Sequence, residues 1–182
     1  EWLKAHKGNL VNGPRNLLGD WVAVGDLGWY DYSFGSPEFT LEAFDRMQID
    51  DRLWQDKVKS IWGKSTRDMH RYFYEKLQQQ LKTLQGKQII LVIHVLPIQE
   101  FTVQPPDRMW SYLNAFLGST QYGELALEHA VPYVICGHVH YRMQKIIHNT
   151  EFICNCLNYS DQWIKDEPAA EIAQVLKVIE IN

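Results

Sequence analysis

The sequence predicts a mixed α/β fold, with parallel strands in the middle of one sheet and antiparallel strands late in the chain. Three short apolar runs, typical of buried strands, are separated by segments with helical periodicity. Three further strand-like segments follow one another near the end of the chain. Strands separated by helices join a sheet in parallel, whereas strands joined by short turns pair antiparallel. We expect residues 1–182 to form a single domain, because their number suits one core.

The first three predicted strands are the apolar runs. WVAVGD at 21–26 is short and ends in a turn, whereas QIILVIH at 88–94 is rich in β-branched residues, as expected of a strand buried on both faces. VPYVIC at 131–136 repeats the second pattern. The late strands are predicted at 142–148, 151–157 and 173–181. We expect them to close the sheet as an antiparallel meander.

A long amphipathic helix is predicted between the first two strands. Ser65 or Thr66 can cap its beginning, its apolar residues fall on or near one face, and Gly86 suits the position just after its end. Shorter helices are predicted at 38–47, 51–62, 107–117 and 121–130. Asp107 follows a pair of prolines and is the expected cap of the helix at 107–117.

Composition and charge exclude some classes of protein. No stretch approaches the ~20 consecutive apolar residues of a membrane-spanning helix. The net charge is −4 and no block of Lys or Arg stands out, so nucleic acid is not an indicated partner. The three cysteines are an odd number in a chain without a secretory signal, which favours reduced thiols and a cytoplasmic location.

Histidines follow two of the predicted strands. His94 ends the strand at 88–94, and Gly137-His138-Val139-His140 comes directly after the strand at 131–136. A single histidine at a strand end is more often a hydrogen-bonded structural residue than a ligand. His138 and His140, however, point the same way if the backbone is extended, and parallel strands place both clusters at one edge of the sheet. We therefore expect the three imidazoles to converge, and neutral imidazole is the commonest metal ligand.

These residues carry a resemblance to a known family. Gly137-His138-Val139-His140 resembles the GHxH motif of the calcineurin-like metallophosphoesterases, and His94 followed by Leu96-Pro97 resembles that family's isolated metal-binding histidine. The segment GWYDYSF at 28–34 is similar to a segment of a bacterial branch of the superfamily. The resemblance implies a four-layer α/β/β/α sandwich that binds two divalent cations, usually Mn, Fe or Zn, and hydrolyses a phosphate mono- or diester with metal-activated water. It assigns His94 and His138 to one ion and His140 to the other.

The family's remaining ligand motifs are absent from the sequence. They are Asp-x-His, Gly-Asp-x-x-Asp and Gly-Asn-His-Asp/Glu, and the last of these also supplies the histidine that protonates the leaving group. Two cations ~3.5 to 4 Å apart repel each other unless an anionic ligand bridges them, and three neutral imidazoles do not supply one. We therefore expect an N-terminally incomplete phosphoesterase domain. We expect the chain alone to hold at most one weakly bound ion and to show little or no activity.

Two alternatives use only the residues that are present. The three histidines can hold one Zn²⁺ with water in its fourth position. Alternatively, the chain is a catalytically inactive binding or interaction module that retains the phosphoesterase fold. For the phosphoesterase fold, a small phosphate ester is the expected ligand. The sheet edge that the missing strands would leave exposed can mediate self-association.

Two other groups of side chains are weaker candidates. Trp29, Tyr30, Asp31 and Tyr32 can line a substrate pocket with flat apolar surface and one carboxylate, although such aromatic density is also typical of a core. Cys154 and Cys156 alternate along a predicted strand, which indicates core packing, and His70 in the long helix is expected at the surface.

Overall fold

A six-stranded mixed sheet organises residues 9–181, the part of the chain that the computed structural model describes. In chain order the strands are β1 (Arg15–Asn16), β2 (Trp21–Asp26), β3 (Gln48–Ile49), β4 (Arg52–Leu53), β5 (Gln88–Ile93), β6 (Tyr133–Cys136), β7 (Arg142–Ile147) and β8 (Thr150–Asn155). The sheet has the order β1-β2-β5-β6-β8-β7, and β3 pairs with β4 separately. Strands β2, β5, β6 and β8 are parallel, whereas β1 and β7 pair antiparallel at the two edges. The predicted mixed α/β class is confirmed.

Six α-helices lie within the described residues. They are α1 (Leu41–Asp45), α2 (Asp56–Lys59), α3 (Thr66–Thr83), α4 (Arg108–Leu113), α5 (Thr120–Glu128) and α6 (Pro168–Val175). The Ser65 hydroxyl accepts a hydrogen bond from Asp68 N (3.1 Å), and the Asp107 carboxylate accepts one from Trp110 N (2.8 Å), so both predicted caps form. No helix in residues 9–181 combines the length and the apolar character that crossing a membrane requires.

The end of the chain differs from the prediction. A strand was expected at 173–181, but helix α6 covers Pro168–Val175 and no strand follows it within the described residues. Pro168 occupies the first turn, where its missing N–H costs nothing, and the sequence after it is rich in residues that favour helices. The buried Glu171 of α6 forms an ion pair with Arg142 of β7. The late antiparallel meander is therefore a two-stranded hairpin with a helix bound beside it.

Two apolar clusters stabilise this arrangement. The first lies between the sheet and helices α3 and α5, with Leu81, Leu91 and Leu125 fully buried in it. The second is mainly aromatic and surrounds Tyr30 and Phe116. The second cluster supports the loops that follow the carboxyl ends of the parallel strands, and these are the loops that bear the predicted site.

Candidate functional site

The carboxyl ends of β5 and β6 lie side by side. Their parallel register pairs Val92 with Ile135, so the residues that follow each strand emerge at the same edge of the sheet. His94 follows β5 directly, and the Gly137 N–H donates a hydrogen bond to the His94 carbonyl oxygen (3.0 Å). This backbone contact joins the two histidine-bearing loops.

The imidazoles of His94 and His138 are in direct contact. His94 Nε2 lies 3.0 Å from His138 Nδ1, and the two rings are nearly perpendicular. His138 Nε2 lies 3.1 Å from the carbonyl oxygen of Phe116, which can only accept. His138 Nε2 therefore carries the proton and donates, while Nδ1 of the neutral ring accepts from His94 Nε2.

The surroundings of this pair favour the neutral form of both rings. Burial, together with the neighbouring His94, lowers the pKa of His138 to about 4. His94 as a whole residue is solvent-exposed. Its ring is nevertheless partly desolvated by the surrounding protein atoms, and this lowers its pKa as well. Both imidazoles are consequently neutral at pH 7, which is the form that binds metal ions.

His140 does not join this pair. The expectation that His138 and His140 point the same way assumed an extended backbone, but His138 has φ +73°, in the left-handed region. His140 Nδ1 lies 2.9 Å from Gln162 Oε1, and its ring packs edge-on against Tyr159. The left-handed backbone of His138 is strained, and such strain in a non-glycine residue is found preferentially at functional sites.

The donor atoms fit a partial metal site. Histidine ligands usually donate their second ring N–H to an oxygen acceptor, as His138 does to Phe116 and His140 to Gln162. Two nitrogens on one tetrahedral zinc ion lie roughly 3.4 Å apart, close to the separation between His94 and His138. Within residues 9–181, however, no three His, Cys, Asp or Glu side chains are grouped so that they could hold an ion. The described residues supply two adjacent nitrogens, and the two-ion and three-histidine sites both stay predictions.

Asp56 is a site residue that the sequence analysis missed. Its carboxylate accepts hydrogen bonds from Trp54 Nε1 (2.9 Å), Tyr30 Oη (3.3 Å) and Ser60 Oγ (3.2 Å). Its negative charge acts on both imidazoles of the pair and raises their pKa values against the effect of burial. Residue 56 lies in a segment predicted to be a continuous helix, and no motif there indicates a site.

The four residues predicted to line a substrate pocket are divided between the surface and the core. Trp29 lines a cavity of about 570 Å³, together with residues of the segment before helix α3. Tyr30 and Tyr32, in contrast, are buried in the aromatic cluster. Asp31 Oδ2 accepts a hydrogen bond from the buried Ser119 hydroxyl (2.9 Å). Of the four, Trp29 alone lines this cavity, and the other three hold the loop in place.

Two other predictions concern residues near this loop and the sheet. His70 was expected at the surface but is buried, with Nε2 3.9 Å from Asp31 Oδ2, so that prediction was wrong. Helix α3 turns His70 toward Tyr122 of helix α5 rather than toward solvent. Cys154 lies in the apolar core and Cys156 packs against it, which confirms core packing for both.

Comparison with known proteins supports the fold. No protein-family model matches the chain, and no curated protein sequence does. The structure of phosphopantetheinyl hydrolase (PptH) from Mycobacterium tuberculosis is similar, with a TM-score of 0.66 and 14% sequence identity over 82% of this chain and 54% of that protein. The protein TT1561 of Thermus thermophilus is more distant, with a TM-score of 0.45 and 11% identity over 80% of this chain and 48% of that one. The chain thus has a mixed α/β fold similar to that of phosphopantetheinyl hydrolase, and it spans about half the length of that protein.

Proposed function

We propose that this chain forms the histidine-bearing part of a metal-dependent phosphoesterase domain that hydrolyses a phosphate mono- or diester. The contact between His94 Nε2 and His138 Nδ1 at the carboxyl edge of the sheet is the observation that carries this proposal. The similarity in fold to a protein named as a phosphopantetheinyl hydrolase supports it. The four-layer sandwich and the resemblance to calcineurin-like metallophosphoesterases belong to the same proposal.

Three histidines have separate roles in this proposal. His94 and His138 hold one divalent ion, Mn, Fe or Zn, while the Phe116 carbonyl fixes the orientation of the His138 ring. His140 is held through Nδ1 by Gln162, which leaves Nε2 available for a second ion. When bound, the ions supply positive charge that favours attack of water on phosphorus. The remaining ligands, which must be acidic to offset the charge of two ions, come from outside residues 9–181.

Hydrolysis by a longer protein tests this proposal. We expect a longer protein that also carries the acidic ligand motifs to hydrolyse 4-nitrophenyl phosphate or bis(4-nitrophenyl) phosphate when Mn²⁺ is supplied. His138→Ala should abolish turnover, whereas His148→Ala, in an exposed turn, should leave it unchanged. The 182-residue chain alone should show little or no activity. Equal activity of the His138→Ala protein, or robust hydrolysis by the short chain, would contradict the proposal.

A binding module without catalysis is the second candidate function. The observation that favours it is the direct hydrogen bond between the two imidazoles, because in this arrangement three of their four ring nitrogens have a protein partner without an ion. In this case the longer protein binds no divalent ion in calorimetry and hydrolyses neither nitrophenyl ester. Binding of two ions by that protein would exclude this second function.

A further inference from the structure

Two cavities border the predicted site and share three side chains. Both are lined by His138, Trp54 and Trp110. One has a volume of about 430 Å³ and the other of about 540 Å³, within the range of small-molecule sites. A ligand that touches His138 therefore meets the two tryptophans on whichever side it extends.

The smaller cavity is apolar apart from its histidines. Its other walls are formed by Trp54, Val103, Trp110, Leu117, Val139 and Tyr141, and none of the described residues that line it is Lys, Arg, Asp or Glu. The Tyr141 hydroxyl donates its hydrogen bond to the Phe101 carbonyl oxygen. A phosphate group placed among these apolar walls, away from the ions proposed on His138 and His140, would lose hydration without gaining a charged partner, which is costly. The organic part of a substrate suits this cavity better than its phosphate does.

The two tryptophans offer mainly ring surface to this space. Trp54 stacks on Phe116, with ring centroids 5.3 Å apart, and its only polar atom donates to Asp56. Trp54 also lies beside His138, with ring centroids 6.1 Å apart. Trp110 packs against both apolar clusters, which holds its ring in place. Rigid indole rings bind flat aromatic groups with little loss of side-chain entropy.

The larger cavity differs in its chemistry. Beside the shared residues it is lined by Arg52, Gln55 and Asp56. Arg52 is exposed, and a guanidinium is well suited to binding phosphate oxygens. The two cavities thus present an apolar side and a polar side around His138.

We propose that this cleft binds a phosphate ester of an aromatic alcohol, with the aromatic ring in the apolar cavity and the phosphate beside His138. This inference rests on the proposed phosphoesterase function and specifies the substrate class. The chain discriminates between esters by the organic group. Burial of a flat ring in the apolar cavity is favourable, whereas a polar alcohol would lose its hydration there.

Binding measurements on the 182-residue chain test this inference without catalysis. In calorimetry or ligand-observed NMR, 1-naphthyl phosphate should bind at least tenfold more tightly than glycerol 2-phosphate or inorganic phosphate. Trp110→Ala should weaken naphthyl phosphate binding at least fivefold. Val103→Trp, which fills the cavity from a half-buried loop position, should do the same without removing a core ring. The matched control is Trp62→Ala, since Trp62 lines a different cavity.

Each variant must retain its far-UV circular dichroism and a cooperative thermal transition. Equal affinity for the three phosphates would overturn the inference, and so would unchanged naphthyl phosphate binding by folded Val103→Trp protein. The proposed function fails separately. If aryl phosphates bind tightly but the longer protein does not hydrolyse them, the inference about the cleft stands and the proposed phosphoesterase function is contradicted. If the longer protein hydrolyses phosphate esters without preferring aryl esters, the proposed function stands and the inference about the cleft is contradicted.

Discussion

His94 Nε2 lies 3.0 Å from His138 Nδ1, although the two residues are 44 positions apart in the sequence. Parallel pairing of β5 with β6 brings them together, since each histidine lies just beyond the carboxyl end of its strand. The Phe116 carbonyl oxygen then binds the second nitrogen of His138 and fixes its tautomer. Both rings are neutral at pH 7, and in this arrangement the His138 Nδ1 lone pair accepts the proton that His94 Nε2 donates, so an ion that binds both nitrogens must replace that proton.

Asp56 should set the basicity of this pair. Its charge raises the pKa of both imidazoles, so Asp56→Asn should lower the pKa of His94 below its value in the unmodified protein. NMR titration of the imidazole resonances measures this shift. Asp45→Asn is the matched control, because Asp45 lines the same cavity as Asp56 but bonds to Tyr32. An unchanged His94 pKa in the Asp56→Asn protein would show that the carboxylate does not act on the pair.

His70 should make the fold sensitive to acid. Burial lowers its pKa below the ordinary 6.5, so the unfolded chain binds more protons than the folded one as the pH falls below about 6.5. The free energy of unfolding should therefore fall in this range, by up to about 1.4 kcal/mol per pH unit for one full proton. His94 and His138 contribute with the same sign. Urea unfolding from pH 7.5 to 5 should give a smaller slope for His70→Gln than for His148→Gln, and identical slopes would disprove the role of His70.

Gly118 should tolerate no side chain. A Cβ atom at this position would overlap the backbone carbonyl of Leu96, to which the neighbouring Ser119 N–H donates a hydrogen bond (3.1 Å). Gly118→Ala should therefore lower the free energy of unfolding by about 1 to 3 kcal/mol or more. In the matched variant Gly137→Ala the nearest atoms would lie 3.5 Å from the new Cβ, an ordinary contact, and stability should hardly change. Equal stability of both variants would contradict the packing around Leu96.

The thiols should be unreactive in the folded protein. Hydrogen bonding to Cys136 is the main effect that raises the pKa of Cys154 to about 12, and bonding to Cys154 raises that of Cys156. Because the thiolate is the nucleophile, iodoacetamide at pH 8 should label Cys154 and Cys156 slowly in buffer and rapidly in urea, and the buried Cys136 should be shielded until the protein unfolds. Mass spectrometry over time measures the rates. Labelling of Cys154 at the same rate in buffer and urea would show that the thiol is accessible and ionised.

The central strands and the long helix could be predicted from the sequence because their signals are local. The run at 21–26 coincides with β2, and Ser65 caps the long helix as expected. The segment 51–62 was misread as one helix, whereas it forms the short strand β4 and then helix α2. Its aromatic residues pack on distant parts of the chain, such as Trp54 on Phe116, and periodicity carries no information on such contacts.

The geometry of the site was predictable only in part. Apolar runs separated by helices indicate parallel strands, and the carboxyl ends of parallel strands meet at one sheet edge. The sequence therefore predicted that His94 and His138 lie at the same edge. The left-handed backbone at His138, in contrast, depends on surrounding contacts, so the sequence did not predict it. Asp56 lies near the site because of how the chain folds after β4, and no sequence motif in that segment indicates this position. Asp31 was predicted to line a substrate pocket because of its aromatic neighbours, but its carboxylate accepts a hydrogen bond from Ser119 in the core.

Titration of the 182-residue chain with Zn²⁺ or Mn²⁺ in a calorimeter tests the central claim most directly. We expect this chain to bind at most one ion, and weakly. His138→Ala should abolish that binding, whereas His148→Ala, with a histidine removed from the exposed turn, should retain it. Binding that survives the loss of His138, or tight binding of two ions by this chain, would contradict the assignment of the histidine pair as part of a metal site.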